Sequence, residues 1–200
     1  MPTPIHALPP GYREAQHLRL LDSGNILLIN VLALVPLVIA LAVMSAWGTV
    51  VARLRGAWPG GFGADVPWWA WILALLVGSI IVHEWLHGLA IRWAGHRPRY
   101  GVLLSKAAFY ATADGAYFPR NVFIVIALAP IVGISLGGMA LILLIPDTAG
   151  YYLGLTVVLN AANSIGDLWM TAVALRYPPT ALIQDEMDSI RVFTVNQASD

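Results

Sequence analysis

Hydrophobic positions along the chain collect into four long runs, and most polar residues lie between them. The runs extend from Asn25 to Trp47, from Pro67 to Ala94, from Asn121 to Ile145 and from Gly150 to Leu175. A helix needs about 20 apolar residues to cross the hydrocarbon core of a bilayer, and each run is long enough. The pattern predicts an all-α membrane protein with four transmembrane helices.

The segments outside the runs predict short local structures. Tyr12 to Leu21 is suited to a short interfacial helix, and the Gly-rich stretch Pro59–Gly63 is typical of a loop. Tyr100–Leu104 and Ala108–Ala113 are short, partly β-prone runs, which predict a small β-hairpin between helices 2 and 3. The tail from Ala181 to Val195 alternates acidic and apolar residues without a clear period. The length suits a single domain over residues 1–200.

Composition agrees with a chain that faces lipid. Of the 200 residues, 58% are hydrophobic and only 11% are charged, and the mean hydropathy is +0.72. A soluble globular domain carries about 25% charged residues. The net charge is zero, which leaves no electrostatic case for nucleic-acid binding. Cysteine is absent, so any metal must be held by His, Asp or Glu.

The distribution of Lys and Arg predicts how the spans are oriented. Of the 11 positive residues, only Arg53 and Arg55 lie between the first and second runs, and none lies between the third and fourth. With both termini in the cytoplasm, most positive charge lies inside, as the positive-inside rule requires. The N-terminal segment lacks the apolar core of a cleavable signal peptide, so the first run is expected to be an uncleaved anchor. We expect a multi-pass protein of a prokaryotic plasma membrane.

One short motif in the second run carries chemistry. His83-Glu84-Trp85-Leu86-His87 fits the pattern H-E-x-x-H. Two histidines at i and i+4 lie on one face of a helix, where both imidazoles can reach one Zn²⁺. Glu84 lies beside them and is placed to take a proton from the attacking water rather than to bind the metal. Ionisable residues inside a membrane span are costly, which favours a functional interpretation.

A third metal ligand is predicted in the fourth run. His83 and His87 are the only histidines in the four runs, and Glu84 and Asp167 are the only acids well inside one. The second and fourth runs have the same direction across the membrane. At about 1.5 Å per residue, His83 and Asp167 both lie about 25 Å along their helices and therefore at similar depth. A catalytic zinc takes three protein ligands, so Asp167 is the third candidate.

The sequence gives weaker grounds for a functional role of the two asparagines near Asp167. Asn163 precedes Asp167 by one helical turn on the same face. It could orient Asp167 or donate to a substrate carbonyl, and it could equally form an interhelical hydrogen bond. Asn160 lies one further turn back, and we assign it a structural role.

These residues resemble those of known membrane metalloproteases. HEWLHG in an apolar helix, followed in a later helix by an Asn-x-x-Gly-Asp motif that ends at Asp167, resembles the site-2 protease type. From about Trp71 to the tail, including PPTALIQDEMDSIRVF, the chain is more similar to the zincin peptidases of the DUF3267 family. The resemblance implies a zinc-dependent peptidase with His83, His87 and Asp167 as ligands and Glu84 as general base.

Three hypotheses follow for function. The first is a zinc-dependent peptidase embedded in membrane lipid, which hydrolyses a peptide bond of a peptide or membrane-protein substrate in or near the membrane. The edge of the predicted hairpin could align that substrate by strand addition. The second is a non-catalytic metal-binding membrane protein, such as a sensor or transport accessory, which would tolerate Glu84→Gln. The third is a structural membrane protein whose polar groups hold helices together without metal.

Overall fold

The computed structural model describes residues 2–19, 23–56, 67–103, 108–145, 147–186 and 189–195. The described residues form five helices and six strands. The helices are α1 (Ser23–Arg55), α2 (Trp68–Trp93), α3 (Arg120–Ile142), α4 (Asp147–Asn163) and α5 (Ile165–Ala174). The strands are β1 (Tyr12–Arg19), β2 (Arg99–Leu103), β3 (Ala108–Thr112), β4 (Phe118–Pro119), β5 (Leu182–Glu186) and β6 (Ser189–Val195).

Three helices within the described ranges are long and apolar enough to cross a membrane. They are Leu27–Arg55 of α1, Trp68–Trp93 of α2 and Arg120–Ile142 of α3. Large apolar side chains point outward from each of them, and Leu136 of α3 is 65% exposed. Such surface is stable against lipid and costly in water, so the three helices are compatible with a membrane protein.

The fourth apolar run does not form one spanning helix, so the prediction of four transmembrane helices is wrong. It divides into α4, with 17 residues, and α5, with 10, and a turn at Ser164 separates them. Each piece is shorter than the roughly 20 residues that a span needs. The Ser164 hydroxyl donates to the carbonyl of Asn160 at 2.9 Å. Serine bonded back to its own helix bends that helix, and Asn163 and Gly166 are poor helix formers on either side.

The described residues are mostly helical, as predicted, but the fold is not all-α, because strands from both ends of the chain join a short central strand in an antiparallel sheet. Its strand order is β1-β6-β5-β4. The segment predicted as an interfacial helix is β1, which pairs with β6 from Tyr12 opposite Val195 to Arg19 opposite Ser189. The partner strand lies near the other end of the chain, so no local pattern reveals the pairing. The tail without a clear period forms the β5–β6 hairpin.

The small hairpin predicted between helices 2 and 3 is confirmed. Strands β2 and β3 pair antiparallel from Arg99 opposite Thr112 to Leu103 opposite Ala108. The turn of this hairpin and the predicted loop Pro59–Gly63 lie outside the described residues.

The chain divides into two compact units. The first comprises Met1–Leu28, Glu84–Ala129 and Gly166–Asp200, and the second comprises Ile29–His83 and Pro130–Ile165. The first unit has a buried apolar core that includes Phe118, Ile183 and Ile190. The second unit is mainly helical, and hydrogen bonds such as that from Trp47 Nε1 to the carbonyl of Met139, at 3.1 Å, hold it together.

Candidate metal centre

Helix α2 carries the H-E-x-x-H motif without interruption. It is helical from Trp68 to Trp93, so His83 and His87 lie one turn apart on one face. Both histidines are buried, at 6% and 8% exposure, whereas Trp85 between them is 56% exposed. The histidines therefore face the interior of the protein, and the opposite face of the helix carries the tryptophan.

The break at Ser164 determines where Asp167 stands. Because α5 begins at Ile165, Asp167 lies in its first turn and is buried. Backbone N–H groups at a helix N-terminus stabilise a carboxylate. The Asp167 Oδ1 atom lies 3.3 Å from Nε2 of His87. Ligand atoms on one tetrahedral zinc are roughly 3.4 Å apart for metal–ligand distances of about 2.1 Å, so this pair already has the required separation.

His83 joins the same group. One ligand atom each from His83, His87 and Asp167 lie within 4.8 Å of one another. Two imidazoles and one carboxylate are a donor set that zinc accepts. The residues that the sequence selected as ligands are therefore close together in the structure.

A buried amide orients the ring of His83. Asn160, which is fully buried, donates from Nδ2 to the carbonyl of Pro130 at 3.3 Å. Its Oδ1 therefore accepts, and it lies 2.9 Å from Nδ1 of His83. The proton of His83 is then on Nδ1, which leaves the Nε2 lone pair for a metal.

A backbone carbonyl orients the ring of His87 in the same way. Nδ1 of His87 donates to the carbonyl of Ile126 at 2.9 Å. Metal-binding histidines usually donate their second ring N–H to such a partner, which sets the tautomer and the angle of the ring. Both imidazoles therefore present Nε2 as the metal-binding atom.

Glu84 lies beside these groups on α2. It is partly exposed, unlike the two buried histidines, and it interacts electrostatically with His87. A carboxylate that adjoins a potential metal site is suited to proton transfer.

Gly88, the residue after the motif, lies in close contact with a strand of the hairpin. A Cβ atom at Gly88 would overlap the ring of Tyr100 in β2. The absence of a side chain at Gly88 lets β2 pack directly against α2, one residue beyond His87. The β2–β3 hairpin therefore adjoins the candidate centre.

Asp185 is a further acid near the centre that sequence reasoning missed. It lies in β5 and interacts electrostatically with His87, Asp167 and Glu84. Burial of its carboxyl raises the pKa of Asp185 from 3.8 to about 7, and the charge of His87 opposes part of the rise. The Thr112 hydroxyl donates to the backbone carbonyl of Asp185 at 3.0 Å. In the sequence, the feature that could have indicated Asp185 is an acidic residue inside the Leu182–Glu186 segment. Other acidic residues lie close to it in the tail, so Asp185 does not stand out.

The two asparagines differ in their surroundings. Asn163 is exposed, whereas Asn160, for which the sequence predicts a structural role, contacts His83. The role of Asn163 in orienting Asp167 or binding substrate stays a prediction.

Comparison with known proteins gives one finding. Residues 76–182 match the family model DUF3267, described as "Putative zincin peptidase". The match begins inside α2, includes the H-E-x-x-H motif and Asp167, and extends to the start of β5. No curated protein and no solved structure matches the chain.

Proposed function

Because the chain belongs to the DUF3267 family, we propose that it is a zinc-dependent peptidase embedded in the membrane, which hydrolyses a peptide bond in or near the bilayer. The family match covers more than half of the chain. The observation that carries the proposal is the approach of ligand atoms from His83, His87 and Asp167 to within 4.8 Å of one another.

The donor set fits zinc in number and in kind. Catalytic zinc sites use three protein ligands and keep a fourth position open. His83 and His87 would supply Nε2 atoms, and Asp167 would supply a carboxylate oxygen. When bound, Zn²⁺ makes water acidic enough to attack near neutral pH and polarises the carbonyl that is attacked.

Glu84 is the proposed general base. It follows His83 directly on α2, so it adjoins the centre without belonging to the ligand set. Its carboxylate accepts a proton from the attacking water and then delivers that proton to the departing amine. Proton transfer of this kind accelerates a reaction by about 10²–10⁴-fold.

The surroundings of the site support a membrane location and a substrate in or near the membrane. Three helices are apolar and long enough to span, and we propose that the chain is multi-pass in a prokaryotic plasma membrane with cytoplasmic termini. The substrate would be a peptide or a segment of a membrane protein. The β2–β3 hairpin has only two strands among the described residues. An extended substrate could pair with an outer edge of this hairpin as a further strand.

The experiment that tests the proposal compares wild type with Glu84→Gln in detergent, with a library of quenched fluorescent peptides as substrates. The isosteric amide cannot accept the proton, so hydrolysis should fall by about 10²-fold or more while zinc content stays at the wild-type level. Leu86→Met on the same helix turn is the control for general damage. Full-rate cleavage by Glu84→Gln contradicts the mechanism. Zinc binding by a wild type that cleaves no peptide favours the non-catalytic alternative.

A further inference from the structure

Helix α3 contains a buried proline, Pro130, in its middle. Proline has no backbone N–H, so it cannot donate to the carbonyl of the residue four positions earlier. In α3 that residue is Ile126. The Ile126 carbonyl therefore lacks the helical donor that every other residue type at position 130 would provide.

That carbonyl is the acceptor for His87. The distance from His87 Nδ1 to the oxygen of Ile126 is 2.9 Å. The carbonyl of Pro130 itself accepts from Nδ2 of Asn160, and the Oδ1 of Asn160 faces Nδ1 of His83. Both histidines of the motif are thus anchored, one directly and one through an amide, to the turn of α3 between Ile126 and Pro130.

We propose that Pro130 is a positioning residue for the metal centre: by withholding an N–H, it reserves the Ile126 carbonyl for the ring of His87. The inference rests on the proposed function in so far as His83 and His87 bind the metal. Pro130 contacts neither metal nor substrate in this account and acts only through the histidines.

The physical reason lies in the direction of a helical carbonyl. In a regular α-helix each carbonyl points along the axis toward the N–H four residues ahead. A proline removes that partner and kinks the helix, so the carbonyl can tilt outward and meet a side-chain donor. Alanine at position 130 would return an axial N–H, which competes for the oxygen and weakens the hydrogen bond to His87.

In Pro130→Ala we expect the orientation of the His87 ring to be less well defined. Loss of a partner that orients a metal ligand typically lowers metal affinity by about 10- to 100-fold. We therefore expect Pro130→Ala to bind zinc about 10-fold more weakly or worse, as measured by competition with a chromophoric chelator. Pro36→Ala is the matched control, because Pro36 is also a buried proline inside a long apolar helix, α1.

A second variant distinguishes the effect of the missing N–H from the effect of the proline ring. Lactic acid, an α-hydroxy acid inserted at position 130 by nonsense suppression, gives a backbone ester without an N–H and without a ring. This variant should keep zinc affinity near the wild-type value. If it loses as much affinity as Pro130→Ala, the ring or the kink matters, and the proposal is wrong.

A readout on protein without metal keeps the inference separate from the proposed function. With ¹⁵N-labelled histidine, the Nδ1–H resonance of His87 can be assigned by its loss in His87→Gln. In metal-free wild type this proton should be downfield and slow to exchange, and in Pro130→Ala it should move upfield and exchange faster. An unchanged resonance in Pro130→Ala overturns the inference, whether or not the wild type binds zinc. Failure of wild type to bind zinc, with the resonance shifted as expected, contradicts only the proposed function.

Discussion

Helix α2 and the α4–α5 segment both carry candidate ligands, but they present them by different means. Helix α2 is unbroken, and its regular spacing alone sets His83 and His87 one turn apart. The α4–α5 segment is interrupted at Ser164, and the interruption places Asp167 in the first turn of a new helix. The positions of His83 and His87 therefore depend only on local helix geometry, whereas the position of Asp167 depends on an irregularity between two helices.

Among these substitutions, the largest loss of zinc affinity is expected at Asp167. Asp167→Asn preserves the shape of the side chain but removes the charge that a cation and the N-terminus of α5 both favour. We expect zinc affinity to fall by a factor on the order of 100 or more, since a carboxamide oxygen is a weak zinc ligand. Chelator competition measures the loss, with the exposed Asp114→Asn as control. Equal affinity in wild type and Asp167→Asn would remove the α4–α5 segment from the site.

A smaller effect is expected at Asn160, the residue of α4 that supports a ligand of α2. Asn160→Ala removes the acceptor at 2.9 Å from His83 Nδ1, so zinc affinity should fall by about 10- to 100-fold. Asn160→Asp keeps an oxygen acceptor and should recover part of the loss. The exposed Asn30→Ala in α1 is the matched control and should bind zinc like wild type. A weaker zinc affinity in Asn163→Ala than in Asn160→Ala would reverse the assignment of the two asparagines.

The smallest effect concerns Asp185, which lies outside both helical regions. Its pKa in the folded protein, about 7, lies above the ordinary 3.8 of an unfolded chain. Between these values the unfolded chain has released the proton that the folded protein still holds, so rising pH favours unfolding. The stability of metal-free protein should therefore fall as pH rises from about 4 to about 7 and then level off.

The control for this prediction is Asp185→Asn, which has no proton to release. Thermal unfolding in detergent across that pH window should show a wild-type decline that the variant lacks. Added zinc should reduce the decline, because a nearby cation lowers the pKa of a carboxyl. Parallel pH profiles for wild type and Asp185→Asn would contradict the burial of this acid.

The sequence predicted the parts of the site that depend on local order. Residues at i and i+4 share a helix face wherever the helix is continuous, so His83, Glu84 and His87 could be recognised from their spacing alone. Asp167 was found because charged residues in apolar segments are rare. The β2–β3 hairpin was found because both strands and their connection lie in one short segment.

Features that depend on distant pairing could not be predicted in this way. Strand β1 pairs with β6 near the opposite end of the chain, so Tyr12 to Arg19 has no local partner to reveal it. The bond between Asn160 and His83 joins residues 77 positions apart. Ser164 offered a local signal, since serine beside asparagine favours bonds to its own backbone over a continuous helix. The overall hydrophobicity of the fourth run concealed that signal.

Mass spectrometry of detergent-purified protein measures directly whether the chain holds zinc at this centre. Wild type is compared with the double variant His83→Ala/His87→Ala, and His96→Ala outside the motif serves as the control. About one zinc per chain is expected in wild type and in His96→Ala, and none in the double variant. Wild-type protein without metal after zinc has been supplied, or a double variant that retains it, would contradict a zinc centre at His83 and His87.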